Sequence, residues 1–79
     1  MSKFVYVLRE YRETLDYEPI KDDILIFSSL TPAVEEYGRR LHALSRRKPV
    51  SRIDAHLYVH LVTADERVTI YVKRKRLRG

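Results

Sequence analysis

At 79 residues the chain can build one core with little stability to spare, and with no cysteine it can form neither disulfides nor thiolate metal sites. Its net charge of +5 hides an asymmetry: residues 1–36 carry four basic and eight acidic side chains, net −4, while 37–79 carry twelve basic and three acidic, net +9. No apolar run exceeds five residues, far too short to span a bilayer, and the N-terminus shows no apolar signal region; the expectation is a cytoplasmic protein with no membrane contact.

Residues 3–11 read as a strand with Phe4, Tyr6 and Leu8 on one face and Val5 and Val7 on the other, a pattern that predicts a central strand covered on both sides. Residues 10–23 then carry six of the eleven acids together with Pro19, and are expected to form a long acidic loop. Residues 24–27 make a short apolar second strand. Thr31 as N-cap and Pro32 at the first helical position announce a helix, with Glu35 and Glu36 in its early turns and a stripe of Val34, Tyr37, Leu41 and Leu44. Gly38 lies inside it at a cost of about 1 kcal/mol relative to alanine, yet the stripe continues in register through the glycine, which favours one helix over two. Pro49 bounds it.

Residues 53–63 and 67–74 predict two hairpin-connected strands joined by Ala64, Asp65 and Glu66. Leu57, Val59 and Leu61 face Val68, Ile70 and Val72, and the other face shows His56, Tyr58, His60, Tyr71 and Lys73. Residues 75–79 form a basic tail. The expected architecture is a single α+β domain over 1–79, a mainly antiparallel sheet with one amphipathic helix packed on it, in the order β-β-α-β-β.

Catalysis finds little to stand on. The chain has only Gly38 and Gly79, hence no glycine-rich phosphate loop, and Ser28, Ser29, Ser45 and Ser51 lack a nucleophile-elbow setting. Asp22 and Asp23, with Asp16 nearby, are the acids a metal-dependent nuclease would use; a solvated acidic loop balancing the basic half accounts for them far better. On a helix His56 and His60 would share one face and one metal ion. On the strand that Leu57, Val59 and Leu61 indicate, they stand about 13 Å apart, too far to share it. No catalytic residue, metal or cofactor is therefore expected.

The basic clusters carry the information. Arg39, Arg40, Arg46, Arg47, Lys48 and Arg52 form one group; Lys73, Arg74, Lys75, Arg76 and Arg78 form the second. Several cations presented together are what a phosphate backbone needs, and arginine adds a planar fork for its oxygens. Tyr58 and Tyr71 interleave aromatics that suit base stacking. The competing view makes Arg39 and Arg40 helix partners of Glu35 and Glu36 at i, i+4 spacing, and the final run a solubilising tail. The expectation is a small non-enzymatic protein, monomer or homodimer, that contacts nucleic acid or a nucleoprotein complex through its C-terminal half.

Two resemblances follow from these segments. Residues 30–47, with Gly38 at the turn, resemble a helix-turn-helix, which implies a recognition helix over 39–47 and the hairpin as a wing; Arg39 stands where that motif is usually apolar. In layout, with acidic segment, basic patches and no catalytic set, the chain is similar to small phage-encoded anti-CRISPR proteins. That similarity implies an inhibitor acting by protein–protein contact with a host effector complex, with the acidic segment as a nucleic-acid mimic.

Overall fold

In the computed structural model, which describes residues 3–77, β1 (Lys3–Thr14) and β2 (Pro19–Phe27) form a hairpin. α1 (Leu30–Leu44) follows, then β3 (Ser51–Ala55), β4 (Tyr58–Val62) and β5 (Glu66–Leu77). All five strands join one antiparallel sheet in the order β2-β1-β5-β4-β3, so the chain's first and last strands are neighbours at its centre. The fold is α+β, with a single helix packed on one face of the sheet, as the sequence pattern predicts.

The helix-facing side follows from register. Leu8 of β1 stands between Leu25 and Val72, Val59 pairs with Ile70, and Leu61 pairs with Val68. With Tyr37 and Leu44 from α1 these residues make the buried core, and Leu41 and Phe27 pack at its margin. Burial of this apolar surface, at about 25 cal/mol per Å², is what holds the helix to the sheet. Ala33 rather than Val34 completes the buried stripe, because α1 turns its 33, 37, 41, 44 line inward and leaves Val34 more than a third exposed.

Several expectations need correction. Residues 10–23 are not a loop: they continue β1 and begin β2, leaving only a tight connection at 15–18. There the Tyr17 backbone N–H donates to the Thr14 carbonyl at 2.9 Å, and Tyr17 takes a left-handed φ of 68°. Acids and Pro19 disfavour strands in isolation, but here cross-strand cations neutralise the acids and Pro19 sits at the first strand position, where proline is tolerated. Residues 53–63 are two strands instead of one, folded back at His56 and Leu57, where Leu57 takes a φ of 52°. The expected basic tail over 75–79 is strand as far as Leu77, since Lys3, Phe4 and Val5 supply its partners; Arg78 and Gly79 lie outside the described residues.

The helix is unbroken through Gly38, which leaves no turn for a helix-turn-helix. Its N-cap is Ser29, without a side-chain cap bond, in place of Thr31; Pro32 is the third helical residue and still needs no intrahelical donor. β1 is central, yet only one of its faces is covered. The other side of the sheet is open.

Candidate functional site

The open face is built by the residues that alternate with the core. On β1 these are Val5, Val7, Arg9 and Tyr11; on β5, Thr69, Tyr71, Lys73 and Lys75; on β4, Tyr58 and His60; on β2, Asp22, Ile24 and Ile26. Tyr58 pairs directly with Tyr71, Tyr71 with Arg9, and Thr69 with Tyr11, which brings three phenol rings from three strands around one spot. Arg9, Tyr11, Tyr58, Thr69 and Tyr71 line a shallow hollow of about 300 Å³ there. Tyr58 is 36% exposed and Tyr71 half-buried, so neither ring is consumed by the core.

Arg9 is anchored rather than free. Its guanidinium donates to both carboxylate oxygens of Asp22, at 2.8 and 2.9 Å, and lies 5.1 Å from the Tyr11 ring centroid. The same contact holds the Asp22 carboxyl below its usual range. Burial, with Glu13 nearby, pushes the Tyr11 phenol up. His60 touches the Thr69 hydroxyl at 2.9 Å, which fixes its ring beside the hollow. His56 sits in the β3–β4 turn, off the strand that holds His60, and no three His, Asp or Glu groups among the described residues gather as a metal site requires.

One end of the sheet is a basic two-stranded ribbon. Pairing of β2 with β1 ends at Phe27 opposite Tyr6, and pairing of β4 with β5 ends at Tyr58 opposite Tyr71, apart from one further bond from Val72 N–H to the Leu57 carbonyl. Beyond these points residues 3–5 and 73–77 continue alone as a two-stranded arm. Lys73 and Lys75 lie on the open face and run directly into the tyrosine cluster. Arg74 and Arg76 lie on the opposite face of the arm, where the Arg74 guanidinium stacks 4.5 Å from the Phe4 ring centroid. No acid lies in either segment, and no salt bridge among the described residues involves these four cations.

The first basic cluster fares differently. Arg39 bonds Glu36, and Arg52 bonds Asp54 at 2.7 and 3.1 Å. Arg47 pairs with Glu66 at the β4–β5 end of the sheet. Arg40 reaches from the helix to three carboxylates: Glu36 at 2.8 Å, Glu10 at 2.9 Å and Asp23 at 3.2 Å. Within this cluster only Arg46 and Lys48 have no ion-pair partner among the described residues; both follow the helix end, where Lys48 lines a hollow with Glu66. From Glu66 to Arg76 is ten residues of β5, roughly 33 Å of strand. Arg47 and Lys48 therefore stand at the opposite end of a molecule 46 Å long from Arg76, while Arg40 lies midway, at Glu10 opposite Ile70. The surface expected from convergence of the two basic clusters is not formed; Tyr58, Tyr71, Lys73 and Lys75 come together without the helical arginines.

The register explains why Arg40 is committed. β1 and β2 place Glu10 directly opposite Asp23, and Arg12 opposite Lys21, like charges that repel in a bare sheet. Arg40 bridges the two carboxylates, Arg12 bonds Glu10 at 2.7 Å, and Lys21 approaches Asp23 at 3.3 Å. Lys21 and Arg40 hold the Asp23 carboxyl down, and Arg40 with Arg39 does the same for Glu36. Three of the six acids of 10–23, Glu10, Asp22 and Asp23, are thus engaged in ion pairs within the fold. Sequence reasoning missed Arg9 and Tyr11 as members of the open face; the signal was present, since Val5, Val7, Arg9 and Tyr11 continue one period-2 line past the point where the loop was expected to begin.

No family model matches the chain, and no curated protein or solved structure matches it either. No helix among the described residues is long and apolar enough to cross a membrane.

Proposed function

We propose that this protein is a non-enzymatic binder of single-stranded nucleic acid, held across the open face of the sheet. The reading is supported above all by one juxtaposition: the tyrosine cluster of Tyr11, Tyr58 and Tyr71 is continuous with the acid-free Lys73 and Lys75 arm. Single strands are held by this combination, in which cations track the phosphates and aromatic rings stack the bases whatever their identity. The shallow hollow between the rings admits a flat ring lying against Tyr71. Arg74 and Arg76, on the far side of the arm, strengthen the local positive field without touching the same strand.

Binding of a labelled oligothymidylate, followed by fluorescence anisotropy across a salt series, tests the reading. Affinity falls with salt at a slope of about 0.7 per phosphate contact, so replacing Lys73 and Lys75 with alanine lowers the slope by about 1.4. Tyr71→Ala or Tyr58→Ala weakens binding by about 5- to 150-fold, the equivalent of ~1–3 kcal/mol per stacked base. Arg46→Ala and Lys48→Ala, at the other end of the molecule, leave it unchanged. A salt-independent affinity, or binding indifferent to both tyrosines, refutes the proposal.

A further inference from the structure

The sheet has two edges, and they differ in kind. β3 is short, five residues, and its exposed side chains include the Arg52–Asp54 ion pair. β2 runs nine residues with no strand beyond it. Proteins normally blunt such an edge with charged side chains, a proline, a bulge or a covering element. β2 confines these to its first half: Pro19 opens it, Ile20 is the extra residue where Arg12 and Glu13 of β1 pair with Lys21 and Pro19, and Lys21, Asp22 and Asp23 follow. The second half, Ile24 to Phe27, carries none of them, and α1 packs mainly over β5 and β1. On the open face this unprotected half shows Ile24 at 56% and Ile26 at 68% exposure.

Its charges are silent. Asp22 is forked by Arg9, and Asp23 and Lys21 are joined to each other and to Arg40 and Glu10, so the edge carries no uncompensated charge to repel a second acidic strand or to select a basic one. It is also self-complementary. An antiparallel two-fold through Leu25 sets Ile24 of one copy against Ile26 of the other, twice, and keeps Asp22 and Asp23 away from their counterparts.

We propose that β2 is a homodimer interface, at which two copies pair edge to edge in antiparallel fashion and close a continuous ten-stranded sheet. The contact is isologous and closes on itself, whereas β2 on β3 would propagate into a chain of copies. The two-fold runs perpendicular to the sheet, so both open faces look the same way. The four isoleucines form the centre of the joined surface, a tyrosine cluster flanks them on each side, and the two basic arms project from opposite ends. Over residues 6–13 of β1 and 67–71 of β5, both strands are paired on each side and offer no edge to a second copy.

Sedimentation equilibrium of the nucleic-acid-free chain tests this. The expected mass is twice the 9.4 kDa of one chain. Ile26→Lys supplies the edge protection that the second half of β2 lacks and halves that mass, and Ile24→Thr with Ile26→Thr, which keeps strand propensity, halves it as well. Unfolding midpoints of these variants at low concentration stay close to that of the parent, so loss of the dimer is separable from loss of the fold. Ile53→Lys on β3 leaves the mass unchanged. A single-chain mass at the highest soluble concentration overturns the proposal, as does a two-chain mass that persists in both β2 variants or that Ile53→Lys alone disrupts.

Discussion

Arg40→Ala is the substitution whose cost the structure defines most closely. The guanidinium is only 18% exposed and makes its three ion pairs at 2.8 to 3.2 Å, one of them to Glu10, whose side chain is 4% exposed. Breaking a buried ion pair by removing one partner costs about 3–5 kcal/mol, because the remaining charge is left without compensation. Arg12 and Lys21 stay within reach of Glu10, which lowers the expectation to about 2–3 kcal/mol. In a domain of this size that corresponds to a fall in melting temperature on the order of 10–20 °C. Thermal and urea unfolding followed by far-ultraviolet circular dichroism measure it. Arg9→Ala, which breaks a surface pair of comparable length, serves as the comparison and costs far less, because water screens both of its charges. In a double-mutant cycle Glu10→Gln with Arg40→Ala loses less than the sum of the two single changes, since the orphaned carboxylate is then neutral. Equal losses for Arg40→Ala and Arg9→Ala, or strict additivity in the cycle, would show that the opposed carboxylates of β1 and β2 do not need the helix.

Two further outcomes follow from the same geometry. The carboxyl groups of Asp22, Asp23 and Glu36 are depressed below their ordinary values of 3.8 and 4.5, so the stability they contribute is complete above those values and is lost as pH falls through the depressed folded ones. The urea midpoint should hold steady near neutrality and drop below about pH 4. Arg40→Ala, which removes one of the two cations holding each of Asp23 and Glu36, should shrink that drop; an equal drop in the variant refutes the assignment. Gly38 lies within the helix, and a methyl group there would meet nothing within 4 Å. Gly38→Ala should therefore stabilise by about 0.5–1 kcal/mol in urea unfolding, and destabilisation would point to a role for the glycine that packing does not reveal.

What the chain's own pattern determines is substantial. Alternation at 4–8, 58–62 and 68–72 defines the core strands and their inward residues, and the 37, 41, 44 line defines the helix face, because period-2 and 3.6-residue repeats are local properties of backbone geometry. The pairing of Tyr58 and Tyr71 with Lys73 follows from the same alternation. Contacts between distant segments are another matter. Residues 10–23 look like a loop in isolation because aspartate and glutamate disfavour strands; Arg9, Arg12 and Lys21 within the hairpin and Arg40 from the helix, 30 residues after Glu10, make strand the better state. Ion pairs also engage Arg39, Arg47 and Arg52, which stay at the surface: Arg39 with Glu36 and Arg52 with Asp54 nearby in the chain, Arg47 with the distant Glu66. It is strand order that separates the two basic clusters, and β1 and β5, placed side by side at the centre, carry Lys73 and Lys75 away from the helix end. Charge can be counted along a chain, but whether a charge is free depends on what folding sets beside it.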